Sequence, residues 1–129
     1  MTAELIVLVL VALLQVVQIM LAGAAMNQAG LMQWNAGPRD TAPNFPPLVG
    51  RLIRAVNNTT EGLVLFAIAV IVTVITGQSS GLTATLAWIY LAARVLYVPA
   101  YAFGWSPWRS AIWAVGLLST VIMLIAALF

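Results

Sequence analysis

The stretch ELIVLVLVALLQVVQIMLAGAAM, residues 4–26, decides the fold class. Only Gln15 and Gln18 interrupt its apolar run after Glu4. Crossing a bilayer takes about 20 predominantly apolar residues in a helix. The stretch is too long for the apolar region of a secretory leader, and no Lys or Arg precedes it, so it reads as a span despite the small-residue run Ala22-Gly23-Ala24-Ala25. The rest of the chain agrees. Of 129 residues, 64% are hydrophobic and 6% charged, with mean hydropathy +1.08. A soluble domain carries roughly a quarter charged residues. Eight ionisable side chains, five basic and three acidic, cannot coat a water-soluble globule of this size.

Working outward, residues 27–47 form a loop with four of the six prolines. A second span runs over about 48–76, a third over 82–103 and a fourth over 108–128. Gly77-Gln78-Ser79-Ser80-Gly81 and Gly104-Trp105-Ser106-Pro107 supply the turns. These spans use nearly the whole chain and define an all-α, integral membrane four-helix bundle of up-down topology, a single domain over 1–129. Arg39, Arg51, Arg54 and Arg109 lie in or beside the first and third connections, and the middle turn is uncharged. By the positive-inside rule these connections are cytoplasmic and both termini face outward. Trp34, Trp105 and Trp108 fall at the same border, as interfacial anchors do.

Composition also excludes chemistries. With no Cys there is no disulfide and no protein thiol, and with no His the commonest general base and metal ligand is missing. No metal site is expected. A net charge of +2, scattered along the chain, provides no basic stripe for nucleic acid.

The few charges follow helical spacing. Arg51, Arg54, Asn58 and Glu61 are separated by 3, 4 and 3 residues and share an arc of about 80° on the second span. Tyr90, Arg94, Tyr97 and Tyr101 share an arc of about 60° on the third. The two faces lie at matching depth, with Asn58 and Glu61 level with Arg94 and Arg54 level with Tyr97 and Tyr101. One shared cavity near the cytoplasmic border is expected, with Arg109 at its rim. A bland alternative exists: Glu61 and Arg94 pair with each other, and Arg51, Arg54 and Arg109 reach for lipid headgroups. Gln15 and Gln18 read as interhelical hydrogen-bond formers rather than ligands. Four cationic groups against one carboxylate point instead to an anionic, carboxylate-bearing ligand, which Arg binds in bidentate fashion.

Arg54-Ala55-Val56-Asn57-Asn58-Thr59-Thr60-Glu61 resembles the R-A-x-x-N-x-x-E signature of the MAPEG family, membrane-associated proteins in eicosanoid and glutathione metabolism. Gly37-Pro38-Arg39-Asp40 and Leu63-Val64-Leu65-Phe66 resemble its bacterial members, and Arg94-Val95-Leu96-Tyr97, Tyr101 and Arg109-Ser110 resemble its later helices. The resemblance implies a homotrimer in the bacterial inner membrane, with glutathione as thiol co-substrate between subunits. It implies that Arg54, Asn58, Glu61, Arg94, Tyr97 and Tyr101 hold glutathione, to which the shared polar face adds Arg51, and that Arg109, with Ser110, faces the sulfur. The implied activity is a glutathione-dependent transferase or peroxidase acting on lipophilic electrophiles or hydroperoxides from the membrane lipid. The chain departs from the pattern at Gly62, where many catalytic members carry a larger residue. It also departs at Leu21–Asn27, which holds no arginine although well-known eukaryotic members place one there. A non-catalytic member with a lost or changed ligand is the alternative. A small multidrug exporter is a further one, opposed by arginines that repel cationic drugs.

Overall fold

The computed structural model describes residues 1–41 and 43–129 and is all-helical, with no strand among the described residues. Ala42, inside the first connection, lies outside them. Its helices are α1 (Ala3–Gln28), α2 (Met32–Ala36), α3 (Pro47–Ile75), α4 (Gly81–Ala102) and α5 (Trp108–Ala126). All but α2 are long and apolar enough to cross a membrane. The four expected spans therefore stand, each within two residues of its expected ends. The short α2 is a correction: the first connection is not loop throughout, because Met32–Ala36 coils into one helical turn and a half.

Local chemistry explains the boundaries. Thr2 Oγ1 accepts from the Leu5 amide at the start of α1, and Pro47 opens α3 where its missing N–H costs nothing. Ser80 and Thr83 form a reciprocal capping box at the start of α4. Gly30, Gly77 and Gly104, all at positive φ, follow the ends of α1, α3 and α4. At Gly77 the pattern is complete: Gln78 N–H reaches Thr73 O and Gly77 N–H reaches Val74 O, satisfying carbonyls that the helix itself leaves free.

The helices alternate in direction, and α3 and α4 lie between α1 and α5. Helix α1 packs on α3 and α4, while α5 packs on α4 and α3. The core joins Val7 and Val11 of α1, Phe66, Ala69 and Val70 of α3, Leu86, Ala87 and Tyr90 of α4, and Met123 of α5. The Phe66 and Tyr90 rings stack at 4.0 Å between centroids with planes 3° apart. Large apolar residues such as Val16, Ile19, Ile68, Ile71, Leu118 and Ile122 are exposed along the outside, as a lipid-facing surface requires.

Polar contacts tie the spans together at three levels. At the end bearing the termini, Glu4 is fully buried and its Oε1 accepts from Ser79 Oγ at 2.8 Å and from Thr83 Oγ1. Toward the opposite end, Thr59 Oγ1 donates to Gln18 Oε1 at 3.1 Å, and Gln15 Nε2 donates to Thr60 Oγ1 and Val56 O. Both glutamines thus serve as interhelical hydrogen-bond formers. At the far border, Trp34 packs edge-on against Phe45, its indole N–H reaches Thr41 O, and the Arg39 guanidinium covers its ring.

Candidate functional site

A cavity of about 230 Å³ opens between α3, α4 and α5, lined by Asn58, Tyr97, Tyr101, Arg109, Ser110 and Trp113. Three helices supply these residues because α3 and α4 run antiparallel and the short turn at Gly104 returns α5 beside α4. The turn depends on Gly104, whose φ of +66° is a conformation that residues with a Cβ adopt at a cost of about 1–2 kcal/mol. Gly116 is buried where α5 packs on α4; a Cβ there would stand 3.6 Å from Ala93 Cβ and 3.8 Å from Arg94 Cδ, ordinary contact distances.

Arg94 is the deepest charge in the site, 3% exposed. One of its terminal nitrogens donates to Asn58 Oδ1 at 3.0 Å and to Thr59 Oγ1 at 2.9 Å. The guanidinium lies 4.6 Å from the centroid of the Tyr97 ring. Tyr97 meets Tyr101 edge to face at 5.5 Å. Two further cations approach the Tyr101 ring, Arg109 at 4.9 Å and Arg54 at 5.8 Å, and Arg54 Nε donates to the Tyr101 hydroxyl at 3.0 Å. The result is a ladder of three arginines and two tyrosines along one wall. Such cation–ring contacts contribute about 0.5–1 kcal/mol each where exposed and about 2 where water is excluded.

Every hydrogen bond these three arginines make goes to an uncharged group, and no ion pair within 4.0 Å forms among the described residues. The Glu61–Arg94 pair weighed as the structural alternative is absent. Arg94 turns instead to Asn58 and Thr59. Glu61 is exposed at the midpoint of α3, on the flank of the cavity rather than in its lining. A carboxylate and several guanidinium groups thus share one side of the bundle without neutralising one another.

Of the nine residues expected at the site, Asn58, Tyr97, Tyr101, Arg109 and Ser110 line the cavity, Arg94 holds Asn58 from behind, and the exposed Arg54 bonds Tyr101 from the flank. Glu61 stands beside it. Arg51 does not join: its terminal nitrogen donates to Ala102 O at 3.4 Å and its guanidinium flanks Gly104. The physical reason is that the last carbonyls of a helix have no partner within it, and Arg51 supplies one to α4. Two residues of the site escaped sequence reasoning. Trp113 lines the cavity, and its position four residues after Arg109 on α5 was a usable signal. Thr59 is fully buried, accepting from Arg94 and donating to Gln18; nothing in its local sequence distinguishes it from the exposed Thr60.

The donor set suits an anionic, carboxylate-bearing molecule of peptide character. It offers guanidinium groups for carboxylates, the Asn58 amide and two tyrosine hydroxyls for amide groups, and Arg109 with Ser110 at the mouth. Among the described residues no cluster of His, Cys, Asp and Glu could hold a metal ion. Comparison with curated proteins and with solved structures returned no match. The family model for the MAPEG family matches residues 5–129, nearly the entire chain and all four spans. The chain belongs to the MAPEG family and is an integral, multi-pass membrane protein.

Proposed function

We propose that the protein binds glutathione in this cavity and activates its thiol toward lipophilic electrophiles or hydroperoxides that arrive through the bilayer. The observation that carries the proposal is Arg94: a buried guanidinium whose hydrogen bonds all go to neutral groups, beside a cavity that Arg109 also faces. Charge buried at membrane depth is costly and marks functional sites. An anionic ligand offsets that cost.

Glutathione supplies the nucleophilic thiol that the chain, without cysteine, lacks. Arg54, Asn58, Tyr97 and Tyr101 bind and orient its carboxylates and amides, the Arg94 charge behind Asn58 favours an anion there, and Glu61 is available for its ammonium group. Arg109, assisted by the Ser110 hydroxyl, holds the sulfur in its ionised form. A free thiol with pKa near 8.5 is only a few per cent thiolate at neutral pH, and an adjacent cation lowers that value. A lowering of two units corresponds to about 2.7 kcal/mol. Trp113 both lines the cavity and is exposed, which supports entry of lipophilic substrates from the lipid phase beside it.

The site is completed, in this proposal, by neighbouring copies in a homotrimer. Two features support it. Ligand pockets typically enclose about 300–1,000 Å³, more than this subunit's cavity provides. Arg54, Glu61 and Arg109 are exposed on the flank of the bundle, where lipid is a poor neighbour for charge. Arginine placement orients the cavity toward the cytoplasm and both termini outward, and the resemblance to bacterial members indicates the bacterial inner membrane.

Calorimetric titration of the detergent-solubilised protein with glutathione at millimolar concentration tests the proposal directly. Heat of binding together with ultraviolet absorbance of the thiolate supports it, and absence of binding overturns it. A second reading is favoured by one observation: α1 carries no basic residue in its last turn. In that reading the fold persists as a non-catalytic member with a changed ligand. Ala25→Arg then discriminates, since it creates glutathione affinity only where the rest of the site is intact.

A further inference from the structure

Beneath the main cavity lies a second one of about 30 Å³, lined by Gly62, Leu65, Tyr90, Arg94, Trp113, Leu117 and Thr120. Trp113 lines both cavities, and Arg94 links the lower one to Asn58 in the wall of the upper. Two of its lining residues carry polar atoms without a partner: the Tyr90 hydroxyl and Arg94 Nε. Both side chains are almost completely buried, Tyr90 at 2% and Arg94 at 3% exposure. The space exists because residue 62 is glycine. A Cβ there would lie 2.9 Å from the Tyr90 hydroxyl, 3.8 Å from an Arg94 terminal nitrogen and 3.9 Å from its Cζ.

We propose that this cavity is a binding site for one water molecule that joins Tyr90 Oη to Arg94 Nε and thereby positions Arg94. The volume exceeds the roughly 10–15 Å³ that a single water needs. The chemistry matches as well. Arg94 Nε–H is a donor without an acceptor, and a tyrosine hydroxyl both donates and accepts. Thr120, whose Oγ1 donates to Gly116 O at 3.2 Å, retains lone pairs for a third bond. A buried water makes two to four such bonds, and unpaired polar groups in a membrane interior are costly. The bridging water satisfies both orphans in one step.

Its consequence reaches the main site. Arg94 is held on one side by Asn58 and Thr59 and on the other by the water. Asn58 lines the main cavity, so Tyr90 is a positioning residue that acts through the water and Arg94 on the ligand-binding wall. This last step rests on the glutathione proposal; the water site itself does not.

A high-resolution crystal structure of the full chain gives the first test. Density for a single water within hydrogen-bonding distance of Tyr90 Oη and Arg94 Nε is expected, and a dry cavity overturns the inference whether or not glutathione binds. The second test uses Tyr90→Phe, which keeps the stack on Phe66 and removes only the hydroxyl, and Gly62→Ala, which fills the cavity. Each is expected to weaken glutathione binding about tenfold. The double variant is expected to bind no more weakly than the worse single one, because both remove the same water. Gly62→Ala is also expected to be accommodated better in the Tyr90→Phe background, where the 2.9 Å contact is gone, so a poorly folding single variant still leaves a readable pair. Losses that multiply in the double variant overturn the inference. Density for the water in a protein that binds no glutathione refutes the functional proposal and leaves the water site standing.

Discussion

Thr83→Val is a sharp test of how the outer end of the bundle is held. The substitution is close to isosteric and replaces a hydroxyl with a methyl group. Thr83 has one hydroxyl proton and three acceptors within reach, Glu4 Oε1, Ser80 O at 3.1 Å and Ser80 Oγ at 3.4 Å, and the contact with Glu4 is the closest. A buried hydrogen bond to a charged group contributes about 1.5–3 kcal/mol. Thr83 Oγ1 also accepts from the Ser80 amide at 2.8 Å, half of the capping box, and losing such a cap costs about 0.5–1 kcal/mol. The expected total is about 2–4 kcal/mol. In the Glu4→Gln background the acceptor is neutral, and an uncharged interhelical bond in a membrane protein contributes about 0.6 kcal/mol. There Thr83→Val is expected to cost only about 1–2 kcal/mol. Equilibrium unfolding in mixed micelles, followed by the fluorescence of the five tryptophans, measures all four corners of the cycle. Equal costs in the two backgrounds would refute the argument, since Glu4 would then carry no charge toward Thr83.

Three further outcomes are expected. Arg94→Met is expected to abolish glutathione binding, read by calorimetry, and to cost about 1–3 kcal/mol of stability for the Asn58 amide oxygen it leaves without a donor, read by chemical unfolding. Arg109→Ala raises the pKa of bound thiol toward its free value of about 8.5, read from thiolate absorbance against pH, whereas Arg51→Ala leaves that titration in place because Arg51 serves the end of α4. Gly104→Ala destabilises the turn into α5 by about 1–2 kcal/mol, measured by chemical unfolding. The cost arises in the backbone, since the added Cβ would meet Arg51 only at ordinary contact distances of 3.6 Å and more.

The spans and turns were legible because their causes are local. A bilayer sorts residues by apolarity over about 20 positions, and the Ser80–Thr83 box and the glycines at 30, 77 and 104 act within one turn of the helix ends. The pairing of faces was legible too. Asn58 meets Arg94 and Arg54 meets Tyr101, as equal depth on antiparallel spans requires. The short helix at Met32–Ala36 was not legible, because five residues carry too little periodicity to separate from a loop. Arg51 and Glu61 were placed on the right face of α3 and yet outside the cavity. An arc of 80° spans both the contact with α4 and the open flank beside it.

Sequence by itself determined the solvent of this protein, its four crossings and the sharing of faces by its few charges, since composition and helical period act along the chain. Tertiary structure decided which charges meet. Arg94 turned to Asn58 and Thr59 rather than Glu61, Arg51 became a cap, Trp113 became a wall, and Gly62 left room beneath it. Those outcomes depend on how each helix is rotated about its axis and on how α5 packs against α4. Such rotations are set by side chains tens of residues apart, packing at the density of an organic crystal.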